Sequence, residues 1–232
     1  MKRIAYLRPR TVEEALSDRK ATGGLFVAGG TDLIVRLNRR EIRPAALVSL
    51  RNVDEIRKLQ KGNGRASIGS AATVSEIVSD GDLERLYPLL VEAASRLGTP
   101  QIRQVATLGG NLGNCSPCAD TMPPLLVYGA SIVLRSEEGE HTVRMEDFAR
   151  GPGQSCMEAG ELMTRVELDP PPRGARTAFF KKGRVHADLA LASLAALVVM
   201  DGDRIETARF AAGSVAPTCM RLRQTEALLE GR

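Results

Sequence analysis

The stretch FVAGGTDLIVRLN, residues 26–38, sets two glycines between a β-like apolar run and a helix-like run, then follows them with Thr31 and Asp32. The same device recurs in VATLGGNLGN, residues 105–114. Glycine reaches φ > 0 cheaply and lets an oxyanion approach the main chain without meeting a Cβ, so such a turn at a helix N-terminus is an anion cradle. Thr31 and Asn111 add side-chain donors. Two cradles converging from different subdomains would suit a diphosphate. Either pair alone reads equally as a tight turn; the shared context (A/L)-G-G-(T/N) is what points to a ligand. No lysine follows at the P-loop position, which excludes a Walker site. The chain also lacks GxGxxG, which argues against a Rossmann dinucleotide site.

Working outward, TVEEALSDRK (11–20) opens with a capping-box pattern, Thr11 with Glu14, and predicts a helix. GLFVA and AALVSL read as strands, DLIVRLNR as a short helix, and IRKLQKGNGRASIGS as a hairpin turning at Gly62-Asn63-Gly64. TVSEIVSD and LERLYPLLVEAASRLG (83–98) carry helical periodicity, the latter ending at Gly98. DTMPPLLVYGA predicts a short helix, SIVLRSEEGEHTVRM (131–145) a hairpin centred on Glu138-Gly139, and ELMTRVELD a strand. PPPRG (170–174) reads as a linker, because three prolines continue neither a helix nor a central strand. TAFFKKG, LALASLAALVVM, RIETARFAA and a final helix TEALLEG follow. The expectation is an α+β body over residues 1–170, in two halves each introduced by a Gly-Gly pair, and a second module over 175–232.

The 232 residues are ample for a buried core. Aromatics at 3% with no Trp leave no stacking platform for single-stranded nucleic acid. The net charge of +4 is scattered; RLNRREIR (36–43) is its densest run and reads as a solvated surface. The basic N-terminus lacks an apolar region behind it, and the longest apolar run, 189–200, is too short to span a bilayer. The expectation is a cytoplasmic protein with no membrane span and no nucleic-acid partner. Cys115, Cys118, Cys156 and Cys219 are not a disulfide framework in such a chain. The C-x-x-C of 115–118 has a spacing that suits a metal or a redox pair, or two buried thiols.

VAGGTDLIVRLN, TLGGNLGNCSPCADTMPPLLVYGA, GPGQS and FFKKGRVHADLALASLAAL, in that order, resemble the FAD-binding (medium) subunit of the molybdenum hydroxylases. That family includes the medium subunit of carbon monoxide dehydrogenase, the flavin part of xanthine dehydrogenase and the flavin subunit of 4-hydroxybenzoyl-CoA reductase. The resemblance covers nearly the whole chain, and TxGGN with a downstream S-P-x-x-D is its most specific part. It implies a two-subdomain α+β FAD-binding domain of the vanillyl-alcohol-oxidase (PCMH) type, followed by a small, apparently shortened C-terminal α+β domain.

By that resemblance the pyrophosphate of FAD lies across the two loops. Ala28, Gly29, Gly30, Thr31, Asp32 and Leu33 form the first; Thr107, Gly109, Gly110 and Asn111 form the second. Ser116 and Asp120 fall at the S-P-x-x-D positions, where the carboxylate contacts sugar hydroxyls; the other reading of Asp120 is an N-cap for the helix beginning near Thr121. Lys181 falls near the isoalloxazine ring, where a cation stabilises the reduced anionic flavin; the other reading is an exposed charge on a strand. Arg184 and His186 are expected at the surface or an interface. No metal ligands are assigned, and the cysteines are read as buried or flavin-neighbouring thiols.

The resemblance further implies an electron-transfer subunit of an oxidoreductase. Molybdopterin would sit in a large partner and [2Fe–2S] clusters in a small one, forming a heterotrimer or its dimer. The electron acceptor would be NAD, a quinone or oxygen. No residue has the setting of a general base, so no catalytic residue is assigned and substrate chemistry is expected in the partner chain. The rival readings are a self-contained flavin oxidase or dehydrogenase, for which the chain leaves little room for a substrate cap, and a flavin-free scaffold with the same fold, which would not need two anion cradles.

Overall fold

The computed structural model describes residues 4–185 and 187–232, so His186 lies outside it. The chain begins with a three-stranded parallel sheet of β1 (Ala5–Leu7), β2 (Leu25–Val27) and β3 (Ala46–Ser49), with β3 in the middle. Helices α1 (Val12–Thr22) and α2 (Leu33–Asn38) connect the strands. Thr11 caps α1 by accepting from the Glu14 amide, and Gly23 at φ 62° closes its far end. The return arm of the expected capping box goes instead to the Arg10 amide, 2.7 Å from Glu14 Oε2. β1 is not anticipated by the sequence, since three residues with two exposed offer no alternation to read.

The second lobe is built on a five-stranded antiparallel sheet, ordered β4-β5-β10-β6-β7. Its first hairpin is β4 (Leu59–Gly62) and β5 (Arg65–Gly69). Asn63 and Gly64 both take positive φ, as a two-residue type I′ turn requires. Six helices follow: α3 (Val74–Ser79), α4 (Gly81–Leu86), α5 (Pro88–Ser95), α6 (Pro100–Arg103), α7 (Leu108–Gly113) and α8 (Met122–Tyr128). The single helix expected over 83–98 is therefore broken. Pro88 has no amide to continue it and pushes Tyr87 out of the helical region, to φ −133° and ψ 56°. Tyr87 is fully buried at that break, with its hydroxyl 2.8 Å from the Gly64 carbonyl.

The chain returns to the sheet through β6 (Ser131–Ser136) and β7 (Gly139–Arg144). Gly139 pairs with Ser136, so the turn falls on Glu137-Glu138, one residue earlier than expected. A short helix α9 (Met145–Phe148) and the small ribbon β8 (Ala149–Gly151) with β9 (Gln154–Ser155) precede β10 (Leu162–Leu168), the central strand.

After the proline run, β11 (Arg176–Lys182), β12 (Ala192–Asp201), β13 (Arg204–Gly213) and β14 (Met220–Arg221) form a third, antiparallel sheet, ending in α10 (Arg223–Leu229). β12 alternates cleanly, with Ser193, Ala195, Leu197 and Val199 buried. That face packs into the same core as α5, α8 and the second sheet, where Leu90, Leu125, Ile132 and Val166 meet Phe179, Leu197 and Ala211. A smaller core under the first lobe joins Val12, Leu16 and Val48 to Ile56 and Leu162. No helix among the described residues is long and apolar enough to cross a membrane.

Candidate functional site

The first glycine loop runs from the end of β2 to the start of α2. Gly30 has φ 74°, which turns the chain back so that the Ile34 amide can donate to the Gly30 carbonyl. A Cβ on Gly29 would lie 2.0 Å from the Val105 carbonyl oxygen and 2.7 Å from its carbon. The first loop therefore rests directly on the backbone that leads into the second. The two motifs, far apart in sequence, meet in space.

The second loop is not a turn after a strand, as its likeness to the first predicts. It is the first turn of α7, with Thr107 as N-cap, its hydroxyl 3.1 Å from the Gly110 amide. Gly109 packs on Ser70, where a Cβ would come within 2.7 Å of the Ser70 Cβ, and its amide donates to the Ser70 carbonyl at 2.7 Å. The Leu108 and Asn111 amides are also engaged, with the Ala72 and Thr107 carbonyls. The two loops thus differ in what they offer an anion. Among the described residues, the amides of Gly30, Thr31 and Asp32 donate to no protein acceptor, whereas those of the second loop are spent in holding it. What the second loop presents is the Asn111 side chain, fixed by a 2.6 Å hydrogen bond from the Thr121 hydroxyl to its Oδ1, which leaves its Nδ2 protons for a ligand.

The chain between α7 and α8 carries Ser116 and Asp120. Ser116 closes a tight turn: its hydroxyl accepts from the Cys118 amide at 3.2 Å and its carbonyl from the Ala119 amide at 3.0 Å. Asp120 does not cap α8, whose N-cap position is Thr121, with no side-chain bond to the helix amides. Its carboxylate instead takes a 2.7 Å salt bridge from Lys181 of β11, and Lys181 also donates to the Arg96 carbonyl at 3.0 Å. Both side chains are buried, with 8% of Lys181 and 6% of Asp120 accessible, so Lys181 is not an exposed charge on a strand. Burial pushes the Asp120 carboxyl above the usual carboxylate range, and the hydrogen bond and charge of Lys181 offset only part of that. Asp120 Oδ1 is buried and has no partner among the described residues. A carboxylate oxygen left so is costly unless something absent from the chain donates to it.

Of the sequence-predicted residues, the structure brings the two loops together by backbone contact and joins Asp120 to Lys181. Arg184 is exposed and paired with Asp188 at 2.8 Å. Cys115 and Cys219 do not have the setting of metal ligands. Burial pushes the Cys115 thiol up to about 11 and Cys219 up to about 12, the opposite of what a thiolate ligand needs. Among the described residues no group of three His, Cys, Asp or Glu side chains is placed to hold a metal ion. A groove of about 350 Å³ on the second sheet includes none of the predicted residues, and its lining cations Lys61 and Arg65 are already paired with Asp80 and Asp169.

Residues 2–171 match the family described as FAD binding domain in molybdopterin dehydrogenase, and residues 177–232 match the CO dehydrogenase flavoprotein C-terminal domain. The chain is 34% identical over 204 residues to the xanthine dehydrogenase FAD-binding subunit of Escherichia coli O157:H7, covering 87% of this chain and 70% of that protein. It is 30% identical over 229 residues to the carbon monoxide dehydrogenase medium chain of Afipia carboxidovorans, covering 97% and 79%. The solved carbon monoxide dehydrogenase of Hydrogenophaga pseudoflava superposes with a TM-score of 0.96 at 28% identity, over 99% of this chain and 81% of that one. The chain accordingly belongs to the FAD-binding medium subunits of the xanthine and carbon monoxide dehydrogenase family, oxidoreductases of the molybdenum hydroxylase type.

Proposed function

We propose that this chain holds FAD in a PCMH-type fold and relays electrons from the [2Fe–2S] clusters of a small partner subunit to an external acceptor. The organic substrate would be handled by a large molybdopterin subunit. One observation carries the reading: a buried carboxylate oxygen, Asp120 Oδ1, stands without a donor, on a loop that leads directly from the second of two touching glycine motifs. A nucleotide with a diphosphate and a polyol chain supplies what both features lack.

In this reading the amides of Gly30, Thr31 and Asp32 and the Asn111 side chain bind the diphosphate. Gly29 lets this loop lie against Val105, and Gly30 supplies the positive φ that turns it, which leaves those amides free to point at a ligand. Asp120 Oδ1 accepts from a sugar hydroxyl while Oδ2 keeps Lys181 in place. Lys181, held from two sides, contributes a fixed positive charge whose attraction for developing negative charge is strengthened by its dry surroundings. Bound FAD supplies a group that takes up single electrons and gives up pairs. The protein's part is to bind, orient and bias it. Residues 1–170 would form the nucleotide-binding part, and residues 175–232 would supply Lys181.

Titrating the flavin-stripped full chain with FAD tests this. One equivalent is expected to bind and quench flavin fluorescence. Asn111→Ala, which removes one charge-assisted hydrogen bond, and Gly110→Val, whose side chain crowds the capping Thr107 hydroxyl, are each expected to weaken binding by about tenfold or more, with thermal midpoints recorded to separate binding from folding. Wild-type affinity in both variants would show that α7 is not part of the site.

A further inference from the structure

Among the described residues, two buried side-chain polar atoms lack a partner, Asp120 Oδ1 and Ser214 Oγ. Both lie where the 213–219 segment crosses the 116–120 loop. The Ser214 amide donates to the Pro117 carbonyl at 2.8 Å, and the Cys219 thiol lies 3.4 Å from the same carbonyl and 4.0 Å from that of Ala119. The 213–219 segment is therefore laid across the loop that carries Asp120. The strand register leads to the same place: Lys181 pairs with Ser193, and Ser193 with Gly213. Gly213 admits no side chain there, since a Cβ would sit 2.5 Å from Ser193 Oγ and 3.2 Å from Pro123 Cγ.

Ser214 itself has φ 64°, a conformation in which glycine would be unstrained and serine is not. What serine adds at this position is a hydroxyl, and among the described residues that hydroxyl has no partner. A strained residue with an orphaned hydroxyl, packed on the loop that carries a second orphaned polar atom, is the mark of a site shaped for a ligand. The two groups are chemically complementary, since a carboxylate only accepts while a hydroxyl both donates and accepts. Together they suit neighbouring hydroxyls on a polyol chain.

We propose that Ser214 is a cofactor-binding residue, its hydroxyl bonding the polyol chain of the flavin nucleotide from the C-terminal side of the site. The inference rests on the FAD reading above and adds to it a segment that neither glycine motif contains. The test compares Ser214→Ala and Ser214→Gly in the flavin-stripped full chain, by FAD titration and by thermal midpoint without FAD. Both variants are expected to bind FAD roughly three- to tenfold more weakly, the effect of one neutral hydrogen bond. The apo midpoint should hold in the alanine variant and hold or rise in the glycine variant, which relieves the backbone. Unchanged FAD affinity in both variants overturns the proposal, and a lowered apo midpoint alongside it would mark Ser214 as a turn residue only. Failure of the wild type to bind FAD would overturn both readings. Wild-type binding that Gly110→Val abolishes and Ser214→Ala leaves intact would overturn this one alone.

Discussion

Lys181 and Asp120 are 61 residues apart in the chain and 2.7 Å apart in space. A buried pair of this kind adds little net stability, because desolvation opposes the attraction; removing one partner is what costs, since the other charge is left dry and unpaired. Lys181→Met is therefore expected to destabilise the fold by about 3–5 kcal/mol near neutral pH. Asp120→Asn with Lys181→Met should recover most of that loss, although FAD affinity should stay low in both. The pH dependence separates the two. The Asp120 carboxyl is already raised, chiefly by burial, and losing Lys181 raises it further. A carboxyl whose folded value is raised contributes stability that is full below its unfolded value and lost as pH rises through the folded one. Lys181→Met should thus lose thermal stability steadily from about pH 4 upward, and the double variant should not. Scanning calorimetry across that range decides it; parallel profiles would mean that Asp120 is not the titrating group. Sequence motifs mark each residue separately, through S-P-x-x-D and the first lysine of FFKKG. Nothing local marks them as partners, because the contact depends on how the third sheet docks.

The glycine motifs show how far an element can be read from its own residues. The loop at Gly29-Gly30 is legible: β-like run, paired glycines, helix. The loop at Gly109-Gly110 has the same local pattern but a different construction, because Thr107 is placed to cap α7 and the amides that a Gly-Gly turn would expose are tied to Ser70, Ala72 and Thr107. The break at Pro88 follows from proline chemistry that a periodicity count over 83–98 passes over. The glycines also differ in what they are for, and substitution should sort them. Gly29→Ala drives a methyl to 2.0 Å from the Val105 carbonyl oxygen, backbone that cannot step aside cheaply, so it should cost about 1–3 kcal/mol or more and separate the two loops. Gly113→Ala, in the last turn of α7 with open space around it and ordinary φ, should stabilise the chain by up to about 1 kcal/mol. Urea midpoints of the two variants measure this directly. Equal effects would mean that the loops are not in contact at Gly29.

At the scale of the molecule, the proline run at 170–172 is legible as the place where the chain leaves β10, but composition cannot say that the next sheet folds back onto α5 and α8. The alternation of β12 does say that one face of that sheet must be covered. The structure supplies the cover, placing Leu197 and Phe179 in one core with Leu90, Leu125 and Ile132. Lys181 sits on the strand that makes this contact, so the docking of the third sheet and the completion of the Asp120 site are one event. Leu197→Ala should therefore act beyond its own sheet. It is fully buried, so truncation is expected to cost about 2–5 kcal/mol, which for a chain of this size is roughly 2–4 °C of melting temperature per kcal/mol. Because the core is continuous, the second lobe and the third sheet should melt together, in a single calorimetric transition that moves as a whole, and FAD affinity should fall as that transition is approached. Two transitions, with only the smaller displaced by Leu197→Ala and FAD binding unaffected below it, would show that the third sheet unfolds by itself and that Lys181 reaches Asp120 without the shared core.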